Sequence, residues 1–374
     1  MISRIIKDRI IASLKRGKVT GLFGARRTGK TFLMEEIKRE LTDYKILMVQ
    51  GENLDVAEIL SSQRAAVLKN FVAGYDYLFI DEAQKIPNIG TNLKLLVDTV
   101  SDVGIFVTGS SAFDLHRNIG EPLTGRGVNY CLFPFAQTEL KEDYLQAKQY
   151  LENRLVFGLY PQVVLAENNQ EKIQVLQSIK NGYLLKDILE MDNNKDTFFI
   201  LNLLRLLAFQ IGHDVSLSEL AINLRVNQKT VERYTQLLQK CYIIFSHHGF
   251  SRNLRKEITK SPRFYFWDNG ILNSIISNYN GLASRDDTGR LWENYCISER
   301  LKMSHYKGRT ANFYFWRTYD KKEIDLIEES QGILSGFEFK WGNKKSSVPE
   351  EFMKTYQNSV FEVITPENYL DFIE

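Results

Sequence analysis

Three cysteines are few for 374 residues. Cys131, Cys241 and Cys296 are odd in number and far apart. This supports neither a disulfide framework nor a zinc site and fits a reducing compartment. The histidines at 116, 213, 247, 248 and 305 make no metal-ligand spacing, and the adjacent pair His247–His248 reads as surface or wing. No Ser-His-Asp or Cys-His arrangement stands out. Charge of one sign is also lacking. With 48 Lys+Arg against 46 Asp+Glu the net charge is only +2. A globally basic nucleic-acid binder is excluded, and any such affinity must come from a local patch. No apolar run reaches membrane-spanning length. The N-terminal "MISRIIKDRIIASLKRG" spreads charge through a helical apolar pattern and lacks a signal peptide's unbroken apolar core. Internal repeats and low-complexity linkers are absent. The expectation is a cytoplasmic protein without membrane association. With 44% hydrophobic and 25% charged residues, most of the chain should fold, into two or three closely packed domains.

What is present begins with alternation. Residues 1–135 carry five short apolar runs, "VTGLFG", "YKILMVQ", "YDYLFID", "GIFVTGS" and "VNYCLF", the first four separated by helical patterns. Strand–helix alternation of this kind predicts a parallel sheet with covering helices. Residues 136–210 read as helical with one break at "GLYPQ". Residues 211–280 read as a helix-turn-helix followed by short strands. Residues 281–374 read as one helix and then the strands "NFYFWRT", "KEIDLIEE", "ILSGFEFKW" and "VFEVITP".

The first run leads into "GARRTGKT": Gly24, Ala25, Arg26, Arg27, Thr28, Gly29, Lys30 and Thr31. It fits G-x-x-x-x-G-K-[ST], with an apolar strand before it and a helical pattern after it. Backbone N–H groups of such a loop wrap phosphate oxygens, and the helix N-terminus adds its dipole. Lys30 would reach the β- and γ-phosphates of ATP, and Thr31 would bind Mg²⁺. "YLFIDEAQ" then places Asp81 and Glu82 at the carboxyl end of a buried strand, where ligands sit in such sheets. Asp81 would hold the metal and Glu82 would polarise the attacking water. Thr108, Ser110 and Ser111 end the next strand. Ser110 is the candidate to sense the γ-phosphate, although hydroxyls beside a glycine are also ordinary turn formers. Arg117 and Arg126 are candidates for a charge-stabilising arginine, and nothing singles out either one.

On these residues the chain resembles predicted prokaryotic ATPases of the AAA superfamily. "FGLYPQVV" and "YLLKDILE" are similar to that family's landmarks beyond the ATPase core. The resemblance implies an α/β fold with a P-loop NTPase parallel sheet and a helical subdomain. A winged helix would follow, and then an α/β domain like the restriction endonucleases. It also implies ATP and Mg²⁺ as cofactors.

"LSELAINLRVNQKTVERYTQLLQK" carries two apolar stripes, Leu217, Leu220, Ala221, Leu224 and then Val231, Tyr234, Leu237, Leu238. Asn227 is placed to cap the second helix. That helix would turn Gln228, Lys229, Glu232, Arg233 and Gln236 outward, suited to a groove of duplex DNA. Arg252, Arg255 and Lys256 follow in a basic segment. Residues 225–265 hold nine Lys/Arg against two Glu, a local excess of seven, as phosphate contact requires. A protein-packing winged helix with a solvated basic face fits the same residues.

The last pattern is "SGFEFKWGNKK". If "SQG" centres a hairpin between Gln331 and Gly332, Asp325 lies opposite Glu338 and Glu323 opposite Lys340. All four would share one face, because the side-chain period is two, with Ile324, Leu326, Phe337 and Phe339 on the other. A restriction-endonuclease-type centre needs carboxylates that hold Mg²⁺ beside a lysine. The resemblance adds Glu293 as the helical acid, giving Glu293, Asp325, Glu338 and Lys340, with Asp325 and Glu338 as metal ligands. An exposed hairpin face with alternating charges in water explains the same stretch without catalysis. The partners expected are ATP and duplex DNA. A homo-oligomer or a protein partner, and an inactive C-terminal domain serving as a scaffold, remain alternatives.

Overall fold

The computed structural model describes residues 2–109, 123, 125–184, 197–252, 261–318, 322–342 and 350–374. Ser110, Ser111, Arg117, Arg255, Lys256 and most of "YLLKDILE" lie outside them. The chain divides into two compact units. One comprises residues 1–134 with 240–242, and the other 135–239 with 243–374.

In the first unit the apolar runs become β1 (Val19–Phe23), β2 (Ile46–Gln50), β3 (Tyr77–Asp81), β4 (Gly104–Gly109) and β5 (Gly127–Cys131). All pair in parallel, in the order β2-β3-β4-β1-β5. β1, β3 and β4 are buried along their whole length. That explains why they read as continuous apolar runs rather than alternating ones. Phe79 and Phe106 meet edge to face at 5.2 Å on adjacent strands. The helix Lys30–Glu40 buries Leu33, Met34 and Ile37, an apolar stripe at helical spacing. β4 lies between β1 and β3. The residue ending β4 therefore sits between the loop after β1 and the acids after β3.

In the second unit, β6 (Ile244–Gly249), β7 (Arg263–Phe266), β8 (Asn312–Arg317), β9 (Glu323–Ser330), β10 (Ile333–Phe339) and β11 (Ser359–Ile364) form one sheet, ordered β11-β10-β9-β8-β6-β7. The two strands that follow the helix pair thus join the strands of residues 281–374, through the parallel pairing of β6 with β8. The β9–β10 hairpin has the expected register, from Ser330 opposite Ile333 to Leu326 opposite Phe337. Gln331 (φ 51°) and Gly332 (φ 80°) make the turn. Two left-handed residues match the twist of the flanking strands and fix that register. On its other side β9 carries a bulge. Ile327 faces Tyr314 but Ile324 faces Trp316, so Asp325 and Leu326 together oppose Phe315. A bulge locally re-aims side chains, here at Asp325.

The break at "GLYPQ" has a mechanical cause. The helix Tyr144–Phe157 ends at Gly158, whose φ of 72° is left-handed. A Cβ there would stand 2.1 Å from Oδ1 of buried Asp268. Asp268 accepts the N–H of Leu159 at 2.7 Å and of Ile271 at 3.1 Å. Asn273 donates to the carbonyls of Leu155 and Val156 at 3.0 and 2.7 Å. The last carbonyls of a helix have no partner within it, and here a buried side chain supplies one. No described helix is long and apolar enough to cross a membrane.

Candidate functional site

The loop after β1 is shaped by what cannot be there. Gly24 has φ 151°, and a Cβ on it would lie 2.1 Å from the carbonyl oxygen of Leu132. Gly29 has φ 97°, with no described atom within 4 Å of a Cβ position. Thr28 Oγ1 donates to the Ala25 carbonyl at 2.9 Å and braces the loop. Arg4 holds the same region, donating to the carbonyls of Phe133 at 2.6 Å and Thr28 at 3.4 Å. Lys30 is buried at the start of the helix, and its Nζ donates to the carbonyls of Gly24 and Ala25, each at 2.9 Å. Arg26 and Arg27 are half-buried on the loop, Arg27 with a left-handed φ of 63°.

Across from the loop, Thr31 Oγ1 donates to Asp81 Oδ2 at 2.8 Å. Thr108 Oγ1 donates to Asp81 Oδ1 and accepts the backbone N–H of Glu82 at 3.1 Å. Glu82, in left-handed conformation, accepts from Gln84 Nε2. Loop, metal-type acid and adjacent glutamate are thereby joined through hydroxyls. Among the described residues of β4, Thr108 reaches the acids, fully buried at the strand's end. Its place between β1 and β3 follows from strand order, which the sequence does not display. Arg126 is not at this site. It pairs with Asp98 at 2.7 Å, and its carbonyl accepts the N–H of Val19. That is the amino end of β1, opposite the loop.

Asn227 caps the helix Gln228–Lys240, its Oδ1 accepting the Thr230 N–H at 2.7 Å. Val231, Tyr234, Leu237 and Leu238 are buried and Gln228, Lys229, Arg233 and Gln236 exposed. Gln228 donates to Glu232 at 2.8 Å, and Arg233 lies 5.0 Å from the Tyr234 ring centre. Arg252 is exposed but lies 5.6 Å from the Tyr356 ring centre. His247 differs from its expected surface place. It is 3% exposed, neither ring nitrogen has a hydrogen-bond partner among the described residues, and it packs against Phe245, Tyr265 and Phe313. The cause is topological: β6 is an interior strand between β7 and β8.

The structure also gathers the C-terminal acids. Asp325 and Glu338 are each 8% exposed, so these two carboxylates do not lie in water, whereas Glu323 is exposed and Lys340 half-buried. Asp325 Oδ2 accepts the Phe339 N–H at 2.9 Å, and Lys340 Nζ pairs with Glu338 Oε1 at 2.6 Å. Glu338 Oε2 is buried, with no hydrogen-bond partner among the described residues. Burial, and then the Glu338 charge, push the Asp325 carboxyl up to about 7. Burial, and then the Asp325 charge, push Glu293 well above the carboxylate range. Burial opposes the charge on Lys340, but Glu338 outweighs it and raises the ammonium. Glu323 points away from Lys340 and is taken by Arg263 Nη2 at 2.8 Å. Two neighbours of Glu293 carry no sequence signal: Tyr265, which donates to Glu293 Oε1 at 2.8 Å, and Arg263.

Both places fit a hard divalent cation. At the loop, the Thr31 hydroxyl and an Asp81 oxygen already meet. In the second unit, a buried carboxylate oxygen with no hydrogen-bond partner among the described residues and two carboxyls raised first by burial are the relevant features. Among the described residues no three His, Cys, Asp or Glu side chains converge into a metal cage. Mg²⁺ does not demand one, since it usually keeps several waters and takes one or two carboxylates.

Residues 16–141 match a family described as an AAA domain. Residues 148–281 and 288–368 match two domains of unknown function, DUF8612 and DUF4143. An uncharacterized protein of Methanocaldococcus jannaschii is 22% identical over 96% of this chain and 82% of its own length. One of Mycobacterium tuberculosis is 26% identical over 89% and 72%. Among solved structures, the Walker-type ATPase PABY2304 of Pyrococcus abyssi shares the fold. Its TM-score is 0.50 at 14% identity, over 74% of this chain and 96% of that one. The chain thus carries an AAA-type ATPase-like domain on a parallel α/β sheet, followed by regions similar to families whose function is undefined.

Proposed function

We propose that this chain is a Mg²⁺-dependent ATPase of the AAA type that associates with duplex DNA and carries a nuclease-like acidic centre at its C-terminal end. The observation that carries the ATPase reading is the hydroxyl-bridged set Thr31–Asp81–Thr108 beside a glycine loop. Thr31 and Asp81 would hold Mg²⁺, which supplies neutralising charge at the phosphates. Lys30 exchanges the Gly24 and Ala25 carbonyls for phosphate oxygens. Glu82, fixed through its own N–H by Thr108, orients the attacking water and takes its proton. The backbone of Gly24 to Thr31 cradles the phosphates.

DNA association is supported by the exposed row Gln228, Lys229 and Arg233 on a capped helix, and by the local excess of positive charge. The cation centre is supported by the buried Glu338 oxygen beside Asp325, which has no hydrogen-bond partner among the described residues. One observation favours the scaffold reading: Lys340 is already paired with Glu338. A single experiment separates them. ATP turnover is measured with and without duplex DNA, alongside plasmid nicking in Mg²⁺ or Mn²⁺, for wild type, Lys30→Ala and Asp325→Ala. Turnover that responds to DNA, and nicking lost in Asp325→Ala, support the proposal. Unresponsive turnover with no gel shift defeats DNA association, and nicking that survives Asp325→Ala defeats the centre.

A further inference from the structure

The acidic centre is not built from the C-terminal strands alone. β7, which follows the helix pair, presents Arg263 and Tyr265 two residues apart, on one face of the strand. Tyr265 is fully buried, and its hydroxyl is committed to Glu293 Oε1 at 2.8 Å. Arg263 is gripped from two sides, by Asp214 at 2.9 Å and Glu323 at 2.8 Å, and lies 4.3 Å from the Phe315 ring centre. The other oxygen of Asp214 is held by Arg317 at 2.8 Å. Gly212 passes beneath Glu293, where a Cβ would come within 2.9 Å of both carboxylate oxygens, at a φ of 75°. The Glu293 carboxylate therefore has a hydroxyl on one oxygen and a glycine floor under it.

Stability is a poor explanation for this network. Apolar residues of similar volume usually serve a core as well as a buried ion pair, or better, because desolvating the charges offsets their attraction. A phenylalanine would fill the place of Tyr265. Retained polar groups that aim a carboxylate are what a cation site needs, since the partners of a ligand fix its orientation.

We propose that Tyr265 and Arg263 are positioning residues of the acidic centre. Tyr265 fixes the Glu293 carboxylate toward a divalent cation, and Arg263, through its charged pair with Glu323 two residues before Asp325, ties β7 to the strand that carries Asp325. The assignment rests on the cation-binding reading above. It makes the centre a joint product of residues before and after the helix that carries Glu293.

The test is Mn²⁺ titration of the nucleotide-free full chain, read by the loss of the free-ion EPR signal, with thermal melting in parallel. Wild type binds an ion that Asp325→Asn does not. Tyr265→Phe, which removes one oxygen, weakens Mn²⁺ about tenfold or more with little change in melting. Arg263→Gln weakens it further, and Arg263→Lys recovers most of the loss. Wild-type affinity in Tyr265→Phe overturns the role of the hydroxyl, and this variant decides should Arg263→Gln fail to fold. Wild-type affinity in a folded Arg263→Gln overturns the role of the charge. If wild type binds no ion sensitive to Asp325→Asn, the underlying reading fails and takes the assignment with it.

Discussion

A threonine hydroxyl has one proton to give and two lone pairs to offer. Thr108 gives the proton to Asp81 and accepts the N–H of Glu82. Thr108→Val keeps the shape and loses both bonds, leaving the Glu82 N–H without its threonine acceptor and Asp81 held by Thr31 alone. The expected result is ATP turnover reduced by about 10- to 100-fold, with nucleotide binding largely kept, as phosphate-release and fluorescent-nucleotide assays would show. His247 makes a second prediction. Burial, with His248 and Arg263 nearby, lowers its imidazole from 6.5 to about 3. A depressed folded value means that the stability is fully present above pH 6.5 and is lost as pH falls toward 3. Between pH 7 and pH 5, wild type should lose about 2 kcal/mol more than His247→Phe. Parallel urea-denaturation profiles for the two proteins would contradict this.

At the scale of elements, what was legible depended on whether the signal was local. The loop Gly24–Thr31 is one contiguous motif. The β9–β10 register follows from two turn residues, Gln331 and Gly332, and the second-helix stripe from its 3.6 period. The burial of Asp325 and Glu338 was not legible, because an alternating strand reads the same whether its polar face meets water or another layer. Nor was the bulge that gives Asp325 and Leu326 a single partner, since that needs the neighbouring strand. The end of the helix Tyr144–Phe157 gives a prediction here. Asn273→Ala strands the carbonyl of Val156 and leaves that of Leu155 to Asn269 at 3.3 Å, and an unsatisfied buried group costs about 1–3 kcal/mol. A loss of about 1–3 kcal/mol in urea denaturation is expected, with the midpoint falling and the slope kept.

At the scale of the molecule, the parallel pairing of β6 with β8 joins strands more than sixty residues apart into one sheet. No sequence period announces such a closure. It is why Arg263 and Tyr265 were missed as neighbours of Glu293 and why His247 is an interior residue. The loop, Asp81 and Glu82 stood out because parallel sheets put ligand groups at strand carboxyl ends. Thr108 meets Asp81 because β4 lies beside β3, an adjacency that no local sequence signal displays. The central claim is that this site turns over ATP. The most direct measurement is steady-state phosphate release with Mg²⁺ for wild type and Glu82→Gln, with nucleotide affinity measured on both. Wild type is expected to turn over ATP, and Glu82→Gln to bind it with near-normal affinity while hydrolysing at least about 100-fold more slowly. Equal turnover in the two proteins, or a wild type that binds no ATP, would contradict the account.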